Sequence, residues 1–550
     1  MKKLLSHWYW VLLVGLLLFN SVFKGRIDLT ADQRYSLSAE ALEQLEQLDT
    51  PIRVDVFLAG KLPKEYQRLR IEVETTLKMM AEEHGAFYVS FIDPFAEESD
   101  TDAVVQEMMQ YGLMPETVVD AQSQNLAQTL IFPWAIVNNG SRSVRVSLLE
   151  KNLGDTQEQI LYKSIRQLEY QFLDALVQLQ VTEKHSIAVL TSHQTSEPGL
   201  SADLLQSIKP YYNLASFDLK ALKDEPEKTL ENLNRFDLLL VSNPKEAFTS
   251  TEIQLIDQYQ VSGGKSLWMI NPVQIDQDSL FNNAGKAVAF QKNLQLDELF
   301  FRWGIRFNHN LIKDLYAAPI VMAQGSGNST QYLPFLWDYY PLAKADENSL
   351  IGRGIGNVWL RFASSIDTLK NGLKKRLLIK SSPLTKTIGT PAMVSLKEAT
   401  LQRNPEFYDS GAQPIAVLLE GAFTSLFKNR LRPINATPFV EEGNSASVII
   451  ADGNFGENQL DQGAPLELGF DKWTNNFYHN KTFLVQSIHY LLGQNDRIAV
   501  RTKPLSVSFL DRQKVEIQQR KIKTIVFTIP ALFLTLLGLV VYLWRKRFSG

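Results

Sequence analysis

The chain has 550 residues, enough for two to four domains, and 56 Lys plus Arg against 60 Asp plus Glu leave a net charge of −4. That balance carries no general nucleic-acid footprint, so nucleic acid is not an expected partner. With no cysteine, thiol nucleophiles, thiolate metal sites and disulfides are excluded.

Two apolar runs set the expectation for the ends. Residues 4–23, "LLSHWYWVLLVGLLLFNSVF", and 524–544, "TIVFTIPALFLTLLGLVVYLW", reach the length of about 20 residues that a helix needs to cross a bilayer. Trp8, Tyr9, Trp10, Tyr542 and Trp544 sit near their ends, where interfacial aromatics belong, and Pro530 marks a kink in the second run. The first run also has the look of a signal peptide, but "NSVFKG" behind it offers no small-residue cleavage pair. Two transmembrane anchors are therefore expected, with both termini on one side. Basic residues flank both runs from both sides and decide no orientation; the signal-anchor character of the start favours export of the middle.

Residues 24–50 read as a stalk in which Ser38 caps a helix striped by Ala41, Leu42, Leu45 and Leu48. Residues 51–150 read as a small α/β domain of a thioredoxin-like kind. "PIRVDVFLAG" alternates as a half-buried strand, "EYQRLRIEVETTLKMMAEEHG" is an amphipathic helix, "AFYVSFIDP" is a second strand, and two more strands form a hairpin about Asn139 and Gly140. Without a C-x-x-C pair this domain is a scaffold. Residues 151–184 form a connector whose helix, 156–180, carries Leu161, Ile165, Leu168, Phe172, Leu176 and Leu179 as a seam, with Asp155 and Glu158 as a capping-box-like start. From 185 to 500, strands and helices alternate, the pattern of a larger parallel-sheet domain, with a polar insertion at about 273–372. Residues 501–523 read as a charged stalk helix running into 524–544.

"SGGKSLWMINP", residues 262–272, contains the Gly-Gly-Lys-Ser that ends many phosphate-binding loops. Such a loop needs another glycine five residues before Gly264, and that position is Tyr259. It must also leave a strand and open a helix, whereas "TSTEIQLIDQYQVSGG" reads as a helix capped at Thr249–Thr251 and "SLWMINP" as a strand. The glycines therefore end a helix, and Lys265 enters a strand. No nucleotide site is expected there.

Open parallel sheets bind ligands at the carboxyl ends of their strands. Those ends carry Thr191, Ser192 and His193, then Asn243, Asn271, and Asp452 with Asn454. This cluster is the candidate ligand pocket; the same residue types also simply end strands with turn chemistry. The seven histidines are dispersed, no H-E-x-x-H or G-x-S-x-G is present, and no cofactor, metal site or catalytic residue is expected.

Taken together, "DLTADQRYSLS", "GKLPKEYQRLR", "FIDP", "SGGKSLWMINP", "LRFASSIDTLK", "LLEGAFTSLFKNR" and "LGFDKWTNNFYHNKTFLVQSIHYLLG", followed by the last apolar run, resemble the gliding-motility-associated ABC transporter auxiliary (substrate-binding-like) proteins, from about residue 26 to 544. The resemblance implies an inner-membrane protein with cytoplasmic termini and a periplasmic bulk, working beside an ABC permease and a separate ATP-binding subunit. It also implies a large domain of the class I amidotransferase-like group, whose catalytic members use a cysteine that this chain lacks. The leading expectation is a non-enzymatic, membrane-anchored subunit. The alternatives are a solute- or glycan-binding receptor that delivers its ligand to the permease, and a hydrolase using a Ser or Asp of the strand-end cluster.

Overall fold

The computed structural model describes residues 36–498, apart from 97–100, 120–127, 152–154, 181–182, 283–284, 325–330, 436–437 and 496, together with positions 528, 530, 535 and 538. The folded body lies in a unit spanning 37–503. The expectation of two membrane anchors is corrected: no helix among the described residues is long and apolar enough to cross a membrane. The runs at 4–23 and, but for the four isolated positions, 524–544 lie outside the described residues, as do the charged segment 501–523 and residues 24–35 of the stalk. The inner-membrane placement with cytoplasmic termini rested on those runs and is withdrawn with them.

The amino-terminal part is a four-stranded sheet with helices on both faces. Ser38 caps α1 (Ala39–Glu46), its hydroxyl accepting from the Ala41 N–H at 3.2 Å. Strand β1 (Ile52–Val56) buries Ile52, Val54 and Val56 and turns Arg53 and Asp55 outward. It is flanked by β2 (Phe87–Phe91) in parallel and β3 (Trp134–Asn138) antiparallel; β3 pairs with β4 (Ser143–Ser147). Asn139 accepts from the N–H groups of Ser141 and Arg142, and Gly140 takes the left-handed conformation the hairpin turn requires. The apolar stripes of α2 (Lys64–Glu83) and α4 (Gln157–Gln180) meet over this sheet, with Leu69, Val73, Leu168, Phe172 and Leu176 in one core; α3 (Thr101–Gln110) packs on a satellite cluster around Phe132. The expected capping box of α4 is displaced by one residue. Thr156 and Gln159 exchange the capping hydrogen bonds, and Asp155 instead pairs with Lys163 at 2.7 Å.

The second part is built on one large sheet. Strands β5 (Ser186–Leu190), β6 (Asn213–Phe217), β7 (Leu238–Ser242) and β8 (Lys265–Met269) alternate with α5 (Ala202–Ile208), α6 (Pro226–Leu233) and α7 (Ser250–Val261). Strands β9 (Ala317–Gln324), β10 (Gln331–Ala345), β11 (Lys374–Lys380), β12 (Pro414–Thr424) and β13 (Glu442–Ile450) follow, and α8 (Asn480–Leu491) closes the domain. The order across the sheet is β9-β10-β11-β12-β13-β8-β7-β5-β6. Strands β6, β5, β7, β8 and β13 are parallel, but β12, β11, β10 and β9 continue the sheet antiparallel. The expected parallel sheet is thus a mixed one. An apolar run reads the same in either direction, and only the connections decide; β12 and β13 are joined hairpin-fashion, without a crossover helix.

Along each central strand successive side chains enter opposite cores. Leu239 and Val241 join Trp268 and the helices α6 and α7 on one face, while Leu238 and Leu240 join Met269, α5 and α8 on the other. Helix α7 is buried from Glu252 to Val261, an unusual state for a helix carrying so many polar residues. The segment after β12 wraps it: Gln254 exchanges two hydrogen bonds with the backbone of Ile434, Gln258 accepts from the Val440 N–H, and Asp257 accepts from the Leu426 N–H. These backbone groups satisfy buried polar side chains that would otherwise be costly to enclose.

Candidate functional site

The winding of the parallel strands reverses between β5, from which the chain moves to β6, and β7, to which it returns on the other side. The crevice at the carboxyl ends of these two strands is where such sheets receive ligands. Here it is filled from within.

Asn243, at φ +49° directly after β7, sends its Nδ2–H to Glu457 Oε1 at 3.0 Å and accepts from Asn271 Nδ2 at 3.3 Å. Asn271 donates to Asn454 Oδ1 at 2.9 Å and accepts from the Gly453 N–H at 2.7 Å. Glu457 also accepts from Ser196 Oγ and Asn454 Nδ2, each at 2.7 Å. Ser196 belongs to the loop after β5, and its N–H donates to Ser242 O at 2.9 Å, tying that loop across the crevice. Gly453 is required at its position, because an added Cβ would lie 2.5 Å from Asn243 Oδ1.

Asp452, fully buried, caps the short turn at Gly453–Gly456 by accepting from the Asn454 N–H at 2.9 Å, and its second oxygen accepts from the Arg361 N–H at 2.7 Å. The Arg361 guanidinium donates to the carbonyls of Asn454 and Glu457 at 2.6 and 2.9 Å and lies over the Trp359 ring. Burial raises the Asp452 carboxyl to about 7. Burial acts the same way on Glu457, but Arg361 and the donors from Asn243, Ser196 and Asn454 outweigh it and hold the carboxyl below its usual range. Nearby Lys292, which donates to Pro244 O, is lowered to about 8 by burial and by Lys245.

Of the seven sequence-predicted residues, the fold therefore joins Asn243, Asn271, Asp452 and Asn454 in one network. It leaves out the other three. Thr191 is exposed and bonded to Phe217 O. Ser192 Oγ meets His193 Nδ1 at 3.0 Å and accepts from the Leu219 N–H. His193 is stacked on Phe248 at 3.8 Å, with Nε2 3.3 Å from a Glu252 carboxylate oxygen, and burial lowers its pKa. Sequence reasoning missed Ser196, Arg361 and Glu457. A Glu five residues after the Asp452 strand end was visible, but Arg361 comes from the far side of the insertion and no spacing announces it.

A second concavity, of about 730 Å³, lies between the small domain, α4 and the end of the large domain. Trp134, Lys151 and Arg166 face Glu467, His479 and Lys481 across it. Its charges are largely paired: Lys481 sits 2.8 Å from Glu467 and 3.1 Å from Asp203, and Lys151 pairs with Glu116. None of the seven sequence-predicted residues lines this cleft.

The Gly-Gly-Lys-Ser stretch stands away from both. Helix α7 starts with a full capping box between Thr249 and Glu252 and ends at Val261; Gly263 has φ +102°, and Lys265 opens β8. Gly264 lies against the Tyr259 ring, where a Cβ would come within 2.3 Å.

Residues 184–487 match the family described as "ABC-type uncharacterized transport system", and residues 31–138 match a "Domain of unknown function (DUF7088)". No curated protein matches the chain. A solved structure, "mmIFT52 N-terminal domain", aligns with 56% of this chain and 97% of its own at 12% identity, with a TM-score of 0.32, too low to carry an argument. The family match spans more than half of the 550 residues, and the chain belongs to this family of ABC-type transport-system auxiliary components.

Proposed function

We propose that the chain is a non-enzymatic subunit that works beside an ABC permease and a separate ATP-binding subunit in a transport system serving gliding motility. The observation that carries this reading is the Glu457 carboxylate seated at the switch point of the sheet, where an acting member of such a fold would receive its ligand. The family match supports the transport-system setting, and the jointly matching motifs of the sequence support the link to gliding. The Gly-Gly-Lys-Ser stretch closes a helix, which supports the reading that a separate subunit uses the ATP. Isolating the tagged chain with its neighbours and identifying them by mass spectrometry tests the proposal. A polytopic permease and an ATP-binding subunit are expected; their absence from a gliding-competent strain would refute it.

A second reading, a receptor that hands a solute to the permease, is favoured by the 730 Å³ cleft, a size within the range of small-molecule sites. A solute that binds the purified chain, and loses that binding in Arg166→Ala, would promote this reading.

A further inference from the structure

We infer that the outer face of the β9–β10 hairpin, together with the turn after Phe470, forms a binding site for a neutral saccharide. Pro319 and Val321 on β9 and Tyr332 and Pro334 on β10 share one face of the hairpin, with Val321 opposite Pro334 in the ladder. The alternate residues Ile320 and Met322 turn the other way, into the core with Trp337 and Tyr339. Trp473 comes up against the outer face from the turn, and these residues, with Thr474 and Asn476, line an open concavity of about 500 Å³. Two large aromatic side chains are left in water at this one place, Tyr332 at 72% and Trp473 at 65% exposure. Large apolar surface gathered at a cavity is the usual mark of a recognition site.

Trp473 is held out by construction. Asp471, buried, accepts from the Trp473 N–H at 3.2 Å and from the Thr474 hydroxyl, and takes a further bond from Gln459 Nε2. The strands Phe470–Asp471 and Asn476–Phe477 pair across the turn, and Asn475 takes φ +56° at its tip. The backbone that carries Trp473 is thereby fixed and the Lys472 ammonium lies 5.3 Å from its ring centroid, so a ligand has less of the turn to order.

The chemistry of the lining selects the ligand class. None of the residues lining the cavity is charged, and the Lys472 ammonium, 5.3 Å from the Trp473 ring centroid, is already bonded to Leu460 O and lies 3.6 Å from Asp461, so an ionic ligand would be desolvated with little counter-charge. Asn476 Nδ2 donates to Thr474 Oγ1 at 3.0 Å and that hydroxyl donates to Asp471, so a wholly apolar ligand would still cover the rest of the Asn476 amide without replacing its water. A sugar ring offers both things this wall can use. Its axial C–H groups are weakly positive and stack on the negative faces of indole and phenol rings, while its hydroxyls bond the Asn476 amide. The volume suits one to two such rings. The inference does not depend on which reading of the chain's role holds, because the site is separate from both the Glu457 network and the interdomain cleft.

The test uses the full-length chain and follows tryptophan fluorescence and calorimetric heat during titration with neutral oligosaccharides (cellotriose, maltotriose, mannotriose, chitotriose), with trigalacturonate as the charged comparison and a proline-rich decapeptide as the rival ligand. At least one neutral trisaccharide is expected to bind, with trigalacturonate weaker. Trp473→Ala and Tyr332→Ala should each weaken binding by about tenfold or more, and Trp473→Phe should retain part of it. Both positions are exposed, and an unchanged melting temperature verifies that the variants are folded. Failure of every neutral saccharide overturns the inference, as does saccharide binding that Trp473→Ala leaves intact, or binding of the decapeptide alone.

Discussion

Asn243 and Glu457, 214 positions apart in the chain, meet at 3.0 Å across the point where the sheet reverses its winding. Their contact converts a ligand crevice into an internal joint between β7 and the turn after β13. Glu457→Ala removes an ionised acceptor from three donors at once, and hydrogen bonds to charged groups are worth about 1.5–3 kcal/mol each. Partial relaxation and water entry bring the expected loss to roughly 3 kcal/mol, with Glu457→Gln intermediate because its amide group faces a donor. The shift of the urea midpoint measures it; an unchanged midpoint would show that the network holds nothing together.

Asp452 gives this joint a pH signature. The unfolded chain releases the proton near the ordinary aspartate value of about 4, while the folded chain keeps it to about 7. Between these values the folded state binds more protons, so this group makes stability fall as pH rises from about 4 to about 7, with no further change above. Glu457 acts oppositely and only in acid: its folded value is depressed, so its contribution is full above the ordinary glutamate range and is lost as pH falls through the folded value. Asp452→Asn should cost about 1–3 kcal/mol, because its new N–H₂ opposes the N–H of Arg361 or Asn454. It should also flatten the profile between pH 4 and 7. Melting temperatures of both proteins across that range decide it, and a slope that survives in Asp452→Asn assigns it elsewhere.

The glycine pair before Lys265 is a packing device. Tyr259 is fully buried and its hydroxyl donates to the carbonyls of Phe236 and Lys265, so the ring cannot retreat from a Cβ at position 264. Gly264→Ala should therefore destabilise by about 1–3 kcal/mol, whereas Lys265→Ala, at the half-exposed start of β8, should stay within about 0.5 kcal/mol. Neither should alter ATP hydrolysis by the assembled transporter per folded complex. A loss of nucleotide turnover in Lys265→Ala with normal assembly would restore the phosphate-loop reading.

These cases also show which parts of the fold are legible in the sequence. Ser38, Thr249 with Glu252, and the Asn139–Gly140 turn act within three or four residues of themselves, and their local chemistry identifies them without the rest of the chain. Apolar alternation placed β1 and the runs of the large sheet. It could not give the direction of β12, which depends on how the chain returns. The candidate site was half legible for the same reason: a parallel sheet brings strand ends together by rule, so Asn243, Asn271, Asp452 and Asn454 converge. Arg361 arrives through the insertion, 91 residues before Asp452, and Ser192 and His193 are drawn aside by Phe248 and Glu252. The two apolar runs read as membrane anchors lie outside the described residues, among which no helix is long and apolar enough to cross a membrane.

The last prediction concerns what fastens helix α4 to the part of the chain that follows it. Helix α4 belongs by its apolar stripe to the small-domain core, yet Asp174 on it reaches Arg497, beyond α8, at 3.1 Å, with the side chains 10% and 3% exposed. Tyr211 and Gln178 also donate to Asp174 at 2.8 Å, and the Arg497 guanidinium lies over the Tyr211 ring at 4.6 Å. One buried ion pair thus fastens the connector to the large domain. Removing a single partner leaves the other charge buried and uncompensated, which costs about 3–5 kcal/mol. Because the pair lies at a joint and neither core depends on it, this cost can be escaped by opening the joint and letting water reach Arg497. Asp174→Ala should accordingly raise hydrogen exchange in the carboxyl-terminal half of α4 and speed protease cleavage between the domains, while β1 and β7 stay protected. Replacing both partners, Asp174→Leu with Arg497→Met, removes the stranded charge and should recover much of the protection. If Asp174→Ala instead loosens the β7 core, the ion pair is part of the large domain's own stability. If it loosens nothing, the domains are held by other contacts, and motion passed through α4 is not governed by this pair.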